Sequence, residues 1–95
     1  MNASVVFLGR NVSIMALVKH QLTSVGHRTE GYLQDDELMV RLEHGNVTLL
    51  ILGSGVEDGP RNRFRTYCTE KEIPLLEHFG GPDQLIENVR VALCG

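Results

Sequence analysis

Val47-Thr48-Leu49-Leu50-Ile51-Leu52 runs directly into Gly53-Ser54-Gly55, and the reading of this junction decides the fold. The run is apolar and nearly continuous, and it is too short for a stable helix. It lacks the strict in-and-out alternation of a strand with one wet face, so it reads as a strand buried on both faces. Two further apolar runs end the same way. Val5-Val6-Phe7-Leu8 leads into Gly9-Arg10-Asn11, and Ile73-Pro74-Leu75-Leu76-Glu77-His78-Phe79 leads into Gly80-Gly81-Pro82. In open α/β sheets, ligands bind beyond the carboxyl ends of the strands, so any site is expected at these three junctions. They lack the clustered carboxylates that Mg²⁺ and phosphoryl chemistry require.

Helical patterns fill the intervals. Asn11 is placed to cap a helix over 12–25, where Ile14, Leu17, Val18, Leu22 and Val25 recur mostly at three and four. Gly26 stands where a helix end calls for positive φ. The polar stretch 27–33 suits an edge strand, because charge there discourages pairing with another chain. Asp35 or Asp36 opens a second helix with Leu38, Met39 and Leu42, and Gly45 closes it. Pro60 is acceptable at the first position of a third helix, which buries Phe64, Tyr67 and Cys68. After the strand at 73–79, Gly81-Pro82-Asp83 opens a last helix carrying Leu85, Ile86, Val89, Ala92 and Leu93.

The order βαβαβαβα with short connections predicts a single α/β domain over 1–95. It is a three-layer, flavodoxin-like, four-stranded parallel sheet of order 2-1-3-4. Val6, Leu8, Leu17, Leu22, Leu50, Leu52, Leu75, Leu85 and Val89 are the expected core.

Bulk composition narrows the function classes. At 95 residues, 42% apolar and 22% charged, the chain is globular. A net charge of -3 opposes broad nucleic-acid binding, which needs clustered Lys and Arg. Cys68 and Cys94 have neither a zinc-type spacing nor the numbers of a disulfide scaffold, so they are expected to be free thiols in a reducing compartment. No basic leader with a long apolar stretch is evident, and no run approaches the ~20 residues of a membrane span. A cytoplasmic chain without cofactor or membrane contact is the expectation.

The last helix, Pro82-Asp83-Gln84-Leu85-Ile86-Glu87-Asn88-Val89-Arg90-Val91-Ala92-Leu93, is similar to the closing helix of the receiver domains of bacterial response regulators. With the alternating layout, the chain resembles a receiver over nearly its whole length, shortened by one of the five βα units. Receivers carry an acidic pair after the first strand and a phospho-accepting Asp at the end of the third. Here those positions read Arg10-Asn11 and Gly53. The resemblance therefore implies a degenerate receiver, a protein-interaction or regulatory module that keeps the shape without the phosphorylation chemistry.

Arg10, Asn11, Ser54, His78, Gly80 and Gly81 are the candidate ligand-binding residues. Strand-end geometry puts Arg10, Ser54 and His78 on one rim. A Gly-Gly turn before a helix offers free amides and a positive dipole end, and Arg10 adds bidentate donors, so a small anion such as a nucleotide or acidic metabolite is the alternative ligand. Catalysis is not expected: His78 and Ser54 supply a base and a nucleophile, but no orienting acid accompanies them, and Glu57 and Asp58 are expected to cap the next helix. His20, His27, His44 and His78 fall on separate elements, which opposes a metal site. Arg61, Arg63 and Arg65 read as a solvated helix face. The apolar fourth strand, and a last helix with apolar residues at both 85/89/92 and 86/93, make a protein partner or a homodimer the expected assembly.

Overall fold

Strands and helices alternate along the computed structural model, which describes residues 3–78 and 84–94. They are β1 (Ser4–Leu8), α1 (Val12–Ser24), β2 (Thr29–Tyr32), α2 (Asp35–Glu43), β3 (Val47–Leu52), α3 (Asp58–Lys71), β4 (Leu75–Glu77) and α4 (Leu85–Cys94). The strands form one sheet of order β2-β1-β3-β4, and every pairing is parallel. The expected α/β fold and strand order are those observed.

Burial on both faces explains the unalternating strands. Val6, Leu8, Leu50 and Leu52 pack with Leu38, Leu42, Val56, Phe64 and Cys68 beneath α2 and α3. Val5, Phe7, Leu49 and Ile51 point the other way and pack with Val18, Leu22, Leu85 and Val89 of α1 and α4. Successive residues of a strand face opposite sides, so two central strands divide their side chains between two cores. Burying a side chain such as Phe64, which is fully enclosed, contributes about 1.5–3 kcal/mol.

Local signals set the ends of the elements. Asn11 is extended and its side-chain oxygen accepts from the Ile14 amide at 3.0 Å, so it caps α1. Gly26 follows α1 with φ of 93°, a conformation an L side chain rarely adopts. His44 caps the end of α2, its Nδ1 lying 2.8 Å from the Val40 carbonyl oxygen. α3 begins two residues before Pro60 rather than at it, and Glu57, at the cap position, makes no side-chain capping bond.

Two core expectations require correction. Leu17 is 42% exposed. Its neighbour Val18 lies about 100° further round α1 and takes the inward position, one turn before Leu22. Leu75 is only half-buried, because β4 is a three-residue edge strand rather than a seven-residue one. The second apolar set of α4 is also no free stripe: Ile86 and Leu93 pack against the α1–α4 core. The exposed large apolar residues include Ile14 and Leu17 of α1, Val25 just after it, and Val91 of α4.

Candidate functional site

Arg10 follows β1 and reaches across the carboxyl ends of the strands. Its Nη2 donates to Asp35 Oδ1 at 2.7 Å and to Glu57 Oε1 at 2.9 Å, its Nε to the same Glu57 oxygen at 3.2 Å, and its Nη1 to the Leu33 carbonyl at 2.7 Å. One guanidinium thus ties together the connections after β1, β2 and β3. The two carboxylates raise the Arg10 pKa above its ordinary value, chiefly through the Asp35 hydrogen bond. In return Arg10 holds the Glu57 carboxyl below the usual range.

Beside this cluster lies a cavity of about 410 Å³, lined by Phe7, Gly9, Arg10, Asn11, Ile14, Gly53, Ser54 and Gly55. The Phe7 ring forms its floor and explains the flanking glycines. A Cβ on Gly9 would stand 2.6 Å from Phe7 Cε2, and one on Gly53 would stand 3.1 Å from Phe7 Cζ and 3.3 Å from the Leu8 carbonyl oxygen. Arg10, Asn11 and Ser54 therefore do meet at one notch, with Asn11 committed to capping α1. His78 is not among its lining residues. It is 6% exposed, its amide donates to the Leu52 carbonyl at 3.0 Å, and its Nδ1 accepts from Asn88 Nδ2 at 3.0 Å. The Gly80 and Gly81 expectation lies outside the described residues.

The arginine run of α3 is not the solvated face expected of it. Arg61 is 3% exposed. Its Nη1 donates to Glu77 Oε1 at 3.0 Å, and its Nη2 to the carbonyls of Gly53 and Val56 at 2.8 and 3.0 Å. Arg65 reaches the same carboxylate from the surface at 2.6 and 2.7 Å. A signal was present in the sequence: Arg61, Phe64 and Cys68 stand at i, i+3 and i+7, one face of a helix. A larger cavity, of about 860 Å³, opens beside β2 and α2 near Ser4, Glu30, Tyr32, Arg41 and Asn46. There Glu30 accepts from Arg41 Nε at 2.7 Å and from the Tyr32 hydroxyl at 2.8 Å, so its polar groups bond one another.

Among the described residues no group of three His, Cys, Asp or Glu side chains could hold a metal ion, and no helix is long and apolar enough to cross a membrane. Cys68 is buried, and desolvation pushes its thiol up to about 11, away from nucleophilic use.

No protein-family model matches the chain, and no curated protein does so by sequence. Among solved structures the chain is similar to the chemotaxis protein CheY4 of Vibrio cholerae, with a TM-score of 0.66 over 97% of this chain and 81% of that one. The fold is receiver-like. At 16% identity the likeness concerns architecture: parallel strands in the order β2-β1-β3-β4, with helices on both faces. The candidate site therefore sits where a receiver-like sheet presents its strand ends, and its local chemistry is that of Arg10, Asp35, Glu57 and the Phe7 notch.

Proposed function

We propose that this chain is a non-enzymatic, receiver-like protein-interaction or regulatory module of the cytoplasm that does not accept phosphate. The observation that carries the reading is the end of β3. A receiver needs an Asp there, and this chain has Gly53 with the Phe7 ring packed close against it. The guanidinium of Arg10 supports the same reading. It holds a fixed positive charge among loops whose carboxylates would otherwise be free to recruit a cation. A fold that keeps its layered shape while its strand ends are tied by side chains is suited to presenting a surface to a protein partner.

The test is incubation with acetyl phosphate and Mg²⁺ followed by intact-mass measurement. Wild type is expected to keep its unmodified mass. Gly53→Asp is expected to stay unmodified as well, since Arg10-Asn11 replace the acidic pair, and to melt several degrees lower. Forcing a side chain against Phe7 and Leu8 costs about 1–3 kcal/mol, and each kcal/mol lowers Tm by roughly 4–8 °C in a domain of this size. A stoichiometric acyl phosphate on the wild type would overturn the reading.

A small anion at the strand ends is the rival reading, because Arg10, Asn11 and Ser54 line one notch. The carboxylates of Asp35 and Glu57 on the same guanidinium weigh against it, since an anion would have to displace them. In a thermal-shift screen of nucleotides and acidic metabolites, no compound is expected to raise Tm. A specific ligand whose stabilisation vanishes in Arg10→Ala would establish the rival.

A further inference from the structure

The notch over Phe7 has a chemical asymmetry that selects its occupant. Its floor and one wall are apolar: the Phe7 ring, and Ile14, which is 40% exposed and is followed one turn later along α1 by Leu17, 42% exposed. The backbone of Gly9, Gly53 and Gly55 closes the rest, so the recess admits a side chain without a Cβ in the way. Across Arg10 the surroundings change sign. α2 opens with Asp35, Asp36 and Glu37, and α3 opens with Asp58 after Glu57. Arg10 answers Asp35 and Glu57, Glu37 lines the separate cavity beside Arg41, and Asp36 and Asp58 enter no ion pair among the described residues. Glu57 remains 64% exposed even while bonded to Arg10.

We infer that the notch is a docking site for a short basic segment of another protein, one that seats an apolar side chain against Phe7 and Ile14 and sets Lys or Arg beside Asp36, Glu57 and Asp58. The inference rests on the interaction-module reading and gives its partner a chemistry. Charge complementarity decides the occupant. An acidic segment would be repelled by the acids at the starts of α2 and α3, and an uncharged one would leave Asp36 and Asp58 unanswered. The apolar anchor supplies what surface charges cannot, because exposed ion pairs contribute little singly and are screened by salt. A buried anchor within a charged rim also matches the usual anatomy of a small interface.

The probe is a phage-displayed random heptapeptide library selected on the immobilised chain. Enriched peptides are expected to combine two or more Lys or Arg with a Leu, Met or Phe. Synthetic copies are expected to shift the backbone amides of Gly9, Gly53 and Gly55 in ¹⁵N correlation spectra. Binding is expected to weaken at least tenfold in Asp36→Asn/Asp58→Asn, which leaves the Arg10 cluster intact, and at least tenfold in Ile14→Ser. Both variants lie on exposed positions, and an unchanged melting curve verifies their fold. Enrichment of acidic or uncharged peptides overturns the inference, as does no enrichment, or binding that the Ile14 variant leaves untouched. A concentration-dependent shift of the same amides without peptide makes a second copy of this chain the occupant and also overturns it. The acetyl phosphate result is independent of these outcomes. No adduct with no basic peptide removes this inference alone, whereas an adduct removes the reading beneath it.

Discussion

Arg61→Leu is expected to bring the chain to the edge of unfolding. The guanidinium is 3% exposed and meets Glu77 and the carbonyls of Gly53 and Val56. It thereby ties the β3–α3 connection to β4, the edge strand that has only three residues with which to hold itself. Leucine matches some of the volume but supplies no donor. Two buried carbonyls and part of a carboxylate then lose their partner inside the fold, where an unanswered polar group costs most. Breaking one side of a buried ion pair costs about 3–5 kcal/mol, against a total of about 5–10 kcal/mol for a domain of this kind. The urea midpoint is expected to fall by roughly a third or more. Arg61→Lys is expected to fall between wild type and Arg61→Leu, because one ammonium cannot span three acceptors in a fork. Arg65→Ala is the control. It bonds the same Glu77 but is 47% exposed, so its loss is expected to move the urea midpoint far less than the loss of Arg61. Equal losses in Arg61→Leu and Arg65→Ala would show that burial of the guanidinium is not what holds β4.

The contrast between these two arginines also shows where local sequence ends as a guide. The order of elements was legible because it depends on local quantities: apolar runs with no alternation in β1 and β3, a cap at Asn11, a glycine at 26. The strand order followed from short right-handed connections. The side chain facing inward was less legible where two apolar neighbours competed. Leu17 and Val18 fit the helical period almost equally, and only the position of the sheet beneath α1 selects Val18. β4 reads as longer than it is for a similar reason, since apolar character at Ile73 reports packing beside the sheet as readily as membership of it.

The candidate site was half visible. Strand-end geometry puts Arg10, Ser54 and His78 on one rim, and the notch holds Arg10 and Ser54 together with Asn11 but without His78. Its electrostatics were not visible, because the partners of Arg10 lie 25 and 47 residues away at Asp35 and Glu57. Those acids sit at helix starts, where acidic residues are favoured for the helix dipole alone, so their type carried no sign of a cross-loop bond. Arg61 reads as solvated because its charge outweighs its position in a local view. A charged residue in phase with Phe64 and Cys68 signals a buried ion pair, and the acid that answers it, Glu77, lies on the next strand.

Acid is expected to act on the opposite end of the sheet through Glu30. Its carboxyl is lowered to about 2 from an ordinary 4.5, first by the hydrogen bond from Arg41, with Tyr32 and Ser4 adding to it and burial opposing them. A folded-state pKa below the unfolded value means that the unfolded chain binds the proton more tightly. The contribution is therefore fully present above about pH 5, and is lost as the pH falls through 4.5 toward 2. The shift alone corresponds to about 3 kcal/mol. Glu30 is 31% exposed, and solvent screening reduces the expected figure to about 1–2 kcal/mol. Glu57 and Glu77 are also held below the usual carboxylate range, chiefly by Arg10 and Arg65. They bend the wild-type curve the same way, so the difference between variants carries the test. Glu30→Gln keeps an oxygen for Arg41 and the size of the side chain but removes the charge. Urea midpoints are expected to show it about 1–2 kcal/mol less stable than wild type at pH 7, with the gap closing as the pH approaches 2. A gap that stays constant from pH 7 to pH 2 would assign the loss to packing around Arg41 and Tyr32, and the ion pair at the edge of β2 would then have no part in the stability of the fold.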